Sequence, residues 1–141
     1  MTQEDKDLLL KDLCARLQYG IICEDGYGNT LELNGIDNPN TATFKCFDKT
    51  FWTTDLDKCK PYLFPLSSMT EEQESYLHFN TKFTLDVCND LVVKIDEDDN
   101  YFYTDIFDYV SLIDWLHKNH FDYRGLIEKG LAIDATNLNI Y

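Results

Sequence analysis

The sequence predicts an α+β fold: an N-terminal helix, a small twisted antiparallel sheet, and C-terminal helices packed on it. Three observations lead there. Apolar residues recur at helical spacing near both ends, as Leu9, Leu13 and Leu17, and as Ile106, Tyr109, Val110, Ile113 and Leu116. Between them lie short runs rich in β-branched and aromatic residues, separated by turn residues. Hydrophobic residues make up 44% of the 141 positions, enough to bury the core of one domain spanning residues 1–141.

The first helix is predicted over residues 3–18. Thr2 is its cap, Glu4 and Asp5 suit the positive end of the dipole, Lys11 and Arg16 the negative end, and Gly20 stops it. Leu10 and Cys14 flank the Leu9–Leu13–Leu17 stripe. Residues 21–53 turn to strand character. Ile21-Ile22-Cys23 and Thr30–Leu33 are separated by a two-glycine turn, Asn34-Gly35 and Asp37–Asn40 break the chain, and Thr43–Phe47 pairs with Thr50–Thr53. Three or four short antiparallel strands here suggest a curled sheet or a small half-barrel.

In the connector at residues 55–69, Pro61 and Pro65 bracket Tyr62-Leu63-Phe64, which favours an extended path lying across the sheet. Thr70 and Gln73 form a capping box for a short helix ending near Asn80. Residues 82–103 alternate as a three-stranded meander around Cys88–Asp90 and Asp96–Asn100. A helix over about 105–119 follows. A last helix is expected over Asp122–Lys129, with Asp122 as N-cap, Phe121 and Leu126 as a hydrophobic staple and Gly130 as its stop. The tail after Leu131 alternates loosely and carries no clear assignment.

Charge is the strongest bulk property. The chain has 26 acidic and 12 basic side chains, a net of −14, and the excess is concentrated late, with 15 acids against 5 bases after residue 70. Such a surface repels phosphate backbones, so direct nucleic-acid binding is not expected, while a basic protein surface would be attracted. Five Cys without a C-x-x-C pair, no basic-then-apolar leader and no long apolar run predict a cytoplasmic chain with reduced thiols and no membrane partner.

Asp96, Asp98 and Asn100 match the first ligand positions of a calcium loop, but Tyr101 stands where glycine is needed and Phe107 where a bidentate Glu is needed. A solvated hairpin turn fits better. Asp114, His117 and His120 share helical spacing without a third soft ligand, which reads as structural histidines. No phosphate-binding glycine loop, H-E-x-x-H or G-x-S-x-G occurs, and no cofactor, metal or catalytic residue is expected.

The residues left as interaction candidates are Asp96, Glu97, Asp98, Asp99, Asp105 and Asp108 in the acidic half, with Asp86 and Asp90 beside them. Tyr62 and Phe64 could face a partner from the connector. Tyr123 and Arg124 could anchor an interface, or Arg124 could pair with a carboxylate of its own chain.

Three blocks carry a likeness: Leu8–Leu17, Lys60–Glu72, and Asp114 to Leu116 continuing through His120–Ile127. They resemble a family of short uncharacterised proteins of gut-bacterial genomes and their phages. The resemblance spans under half the chain and implies a mobile-element setting, with no activity or cofactor. The expected function is therefore a small acidic, non-catalytic binding or accessory protein that contacts a basic partner, in an extreme form by mimicking nucleic-acid charge. The alternatives are a small enzyme with an unrecognised cleft and a structural subunit of a larger assembly.

Overall fold

A computed structural model describes residues 1–38, 40–46 and 48–141. The fold is α+β, as the sequence predicts. Helix α1 (Gln3–Arg16) leads into a single 3-10 turn at Leu17–Tyr19. Strands β1 (Ile22–Glu24), β2 (Thr30–Asn38), β3 (Thr41–Lys45), β4 (Phe51–Asp55) and β5 (Lys60–Pro65) follow. Helix α2 (Glu71–Asn80), the hairpin β6 (Phe83–Leu85) and β7 (Leu91–Val93), and helix α3 (Ile106–Lys118) come next, before β8 (Phe121–Asp122) and β9 (Ile133–Asp134). All three helices begin with a capping box, set by Thr2 and Asp5, Thr70 and Gln73, and Asp105 and Asp108.

The main sheet runs β4-β3-β2-β1-β5-β8, with β9 pairing β5 off that path. It is mixed, where the sequence suggested a small antiparallel sheet, curled or closed into a half-barrel. Strands β1 to β5 are antiparallel, but β8 and β9 both lie parallel to β5. Parallel neighbours need a long crossover, and residues 66–120 supply it. The predicted break at Asn34-Gly35 is instead a bulge within β2, where the register shifts between Leu33 and Gly35. The expected strand end at Phe47 and the break at Pro39 fall outside the described residues.

The connector is where sequence and structure differ most. Residues 60–65 form β5, an inner strand of the sheet. The Phe64 amide donates to the His120 carbonyl (2.8 Å), and the Ala135 amide donates to the Leu63 carbonyl (2.8 Å). Because side chains alternate along a strand, Leu63 enters one apolar cluster and Phe64 the other. The first cluster gathers Leu9, Leu13, Ile21, Cys23, Phe44 and Leu63; the second gathers Leu77, Phe83, Leu112, Leu116 and Phe121.

Two further expectations are corrected. The Asp122–Lys129 segment is a succession of turns, not a helix. Gly125 adopts φ +74°, which breaks the helical path in its first turn, and Phe121–Asp122 is drawn into the sheet. Gly130 does take the left-handed conformation expected of it, with φ +73°. The three-stranded meander is a two-stranded hairpin. Its third run is attached by a single bridge, Ile95 to Tyr101, and by the Phe102 amide donating to the Lys94 carbonyl (3.0 Å), before the chain turns into α3.

The turns at 86–90 and 96–100 share one design. The first Asp places one carboxylate oxygen on the amides two and four residues ahead, and the fourth residue, Asn89 or Asp99, adopts positive φ. Asp25 uses the same two amides, at Tyr27 and Asn29, and adds the Asn29 side chain (2.8 Å), in a fully buried setting. Asp25→Ala is therefore expected to cost about 1–3 kcal/mol in urea denaturation. Asp96→Ala, at an exposed turn, should cost visibly less.

Candidate functional site

Helix α3 does not bury the whole of its apolar stripe. Leu112 and Leu116 are buried and Ile113 and Trp115 half-buried, but Ile106 and Phe107 are 72% and 76% exposed, and Tyr109 and Val110 are also open. The sequence pattern showed the stripe but not how much of it is covered. The run Tyr101–Tyr103 also turns rings outward, with Tyr101 76% and Tyr103 81% exposed.

Named contacts tie these groups into one surface. The Lys82 ammonium pairs with Asp108 (3.0 Å) and lies 5.9 Å from the Tyr103 ring. Tyr109 packs edge-on to Phe83 at 5.1 Å. Lys94 sits 5.4 Å from the Phe102 ring and donates to the His78 carbonyl of α2. Around this apolar ground stand the acidic candidates. Asp96, Glu97, Asp98, Asp99 and Asp105 are exposed, and Asp108 is half-buried. The Lys82 ammonium and the Asp105 amide hold the Asp108 carboxyl below its usual range, the backbone hydrogen bond first. Residues 71–118 hold 12 acidic and three basic side chains, and two of those bases, Lys82 and Lys94, are already engaged.

The other candidates are placed differently. Tyr62 is buried, and Phe64 is half-buried between Phe121 and Tyr141, so the inner position of β5 leaves neither ring for a partner. Tyr123 and Arg124 belong to a polar cluster inside the fold. Asp12 and Arg16, both fully buried on α1, form a 2.8 Å pair, and Arg16 also donates to the Phe121 carbonyl (2.7 Å). Arg124 approaches the second Asp12 oxygen at 3.2 Å, though off the line of a hydrogen bond. The two guanidinium groups lie 5.7 and 5.0 Å from the Tyr123 ring. The Tyr123 hydroxyl meets His117 Nε2 at 2.7 Å. Arg16, read from the sequence as a helix-end charge, is thus a core residue.

His120 stacks on Tyr141 at 3.6 Å and has φ +60°; its Nδ1 has no partner. Burial, then the nearby Arg16 charge, pushes its pKa down to about 4. Burial and Arg16 also lower His117. Tyr141 anchors the tail by donating to the Tyr62 carbonyl (2.8 Å) and accepting from the Ile22 amide (3.0 Å). The loose alternation of the tail carried no assignment in the sequence and gave no sign of this anchor. Asp122 and Tyr123 line a recess of about 370 Å³ with Ser67 and the free, exposed Cys88, but no histidine is among the residues that line it to serve as a base. Burial raises the Cys23 thiol and pushes Cys59 up to about 12, so neither is poised to attack. Among the described residues, no three His, Cys, Asp or Glu side chains are grouped to hold a metal. No helix is long and apolar enough to cross a membrane.

No protein-family profile, curated protein or solved structure matches the chain.

Removing Asp12 leaves Arg16 buried and uncompensated. Asp12→Ala is expected to cost about 3–5 kcal/mol by urea denaturation, and Asp12→Leu with Arg16→Met to recover much of that loss. The histidines set a pH dependence. Both are favoured neutral in the fold, whereas an unfolded His titrates near about 6.5. Their contribution is complete above that value and is lost as pH falls below it, for His120 down to about 4. Melting curves from pH 7.5 to 4.5 should show the decline, flattened in His120→Asn, whose new residue tolerates positive φ. In a thiol-labelling time course, exposed Cys14 and Cys88 should react first and Cys23 and Cys59 only on unfolding.

Proposed function

We propose that this is a small acidic, non-catalytic binding or accessory protein that works in the cytoplasm by contact with a basic protein, in the phage or mobile-element setting its sequence blocks suggest. One observation carries the reading. The uncovered apolar residues of α3 and of Tyr101–Tyr103 lie within the most acidic part of the chain. Exposed rings supply buried area on association, and the surrounding carboxylates steer a cationic partner and reject anionic ones. The interleaving of rings with carboxylates favours a protein partner over simple imitation of nucleic-acid charge, which needs no apolar anchors.

Affinity capture at low and high salt tests this. The natural chain is expected to retain a basic protein at low salt and release it as salt rises, because exposed charge pairs are screened. Asp96→Asn, Asp98→Asn and Asp99→Asn together should weaken capture, and Ile106→Ser with Phe107→Ser should abolish it at any salt. Retention indifferent to both sets of changes would defeat the proposal.

A further inference from the structure

We infer that the groove between α2 and β6 is the anchor site for a cationic amphipathic peptide segment, one presenting an aromatic or branched aliphatic side chain with Lys or Arg close beside it. This rests on the proposed function and specifies what the partner must offer.

The groove has a volume of about 450 Å³ and is lined in part by Glu71, Glu74, Leu77, His78, Phe79 and Leu85. That lies within the roughly 300–1,000 Å³ of pockets that hold discrete ligands. Its lining is mixed: Ser75 and Thr84 stand beside Leu77, which is buried, and Leu85, which is half-buried in the second cluster. Phe79 is 79% exposed and stands edge-on to His78, with ring centroids 4.8 Å apart. A ring so exposed gains most from being covered. Glu71 and Glu74 form the rim, and neither meets a Lys or Arg among the described residues.

Charge selects the occupant. A second copy of the chain, an anionic lipid or a nucleic acid would each bring negative charge to a region already holding 12 acids against three bases. A cationic segment alone gains from both the rim and the apolar part of the lining. Lys94 donates to the His78 carbonyl and lies 5.4 Å from the Phe102 ring, so it links the groove's His78 end to the run that follows the exposed carboxylates Asp96–Asp99. An anchor flanked by several Lys or Arg therefore fits better than an isolated aromatic residue.

The probe is a synthetic amphipathic Lys/Leu/Phe peptide, compared with a scrambled peptide of equal charge. Trp115 reports binding, since it stacks on Tyr76 of α2 at 5.4 Å; Trp52→Phe removes the other indole signal. The amphipathic peptide is expected to change Trp115 fluorescence and to bind at least tenfold more tightly than the scrambled one. Phe79→Ser should weaken it tenfold or more, and Glu71→Gln with Glu74→Gln should weaken it independently. These three positions are exposed and leave the Thr70–Gln73 cap intact, and an unchanged melting curve verifies the fold. Binding that survives all groove changes but is lost with the Asp96–Asp99 substitutions overturns the groove assignment and leaves the proposed function standing. Absence of binding to the natural chain at low salt removes both. Equal binding to phosphatidylglycerol vesicles, or a concentration-dependent dimer in sedimentation that Phe79→Ser dissolves, shows a different occupant and overturns the inference.

Discussion

The buried pair of Asp12 and Arg16 is the constraint around which the rest is arranged. Two charges removed from water on one helix face are costly unless each keeps close partners; Asp12 Oδ1 and Arg16 Nη1 make no hydrogen bond, so the pair leans on the contacts that remain. The Phe121 carbonyl, 105 positions away, accepts from Arg16, and Arg124 brings a second cation to Asp12. The segment from Phe121 to Arg124 is thereby held against α1. Once it is there, Phe121 and Asp122 pair with β5, and both Asp122 oxygens accept backbone amides from the turn that follows, at Leu126 (3.0 Å) and Ile127 (2.9 Å) among others. Electrostatic necessity in the first helix thus sets the path of the last third of the chain.

That path gives β5 its unusual place. With β1 antiparallel to it and β8 and β9 parallel, it is the seam between early and late parts of the sequence. Its alternating side chains serve two apolar clusters, so neither cluster is built from one stretch of chain. The second cluster is the smaller. It engages the C-terminal half of α3 and leaves the N-terminal half without cover. The exposed aromatic ground follows from how little of the sheet reaches that side of the molecule.

The same lobe holds the largest negative charge, and the two properties reinforce each other. Exposed rings on a neutral protein invite self-association, whereas rings set among like charges discourage it and leave the surface available to a partner of opposite sign. Several carboxylates here also have local structural duties. Asp86 and Asp96 close hairpin turns, and Asp105 and Asp108 close a helix N-terminus. Their remaining charge is still directed outward, so one residue serves both the fold and the field.

The sequence by itself determined the elements whose causes are local. The Thr70–Gln73 capping box, the Thr2 cap, the α2 and α3 spans, the turns at Cys88–Asp90 and Asp96–Asn100 and the charge imbalance depend on neighbours within a few residues. Tertiary structure alone decided that Arg16 is a core residue, that Tyr62 and Phe64 belong to an inner strand, that Asp122–Lys129 is not a helix and that half the α3 stripe stays open. Each of these depends on a partner distant in the chain: Arg16 on Phe121, Leu63 on Ala135, His120 on Tyr141. Periodicity shows that a face is apolar, and residue type shows that a group is charged, but what covers the face or compensates the charge is decided only when remote segments meet.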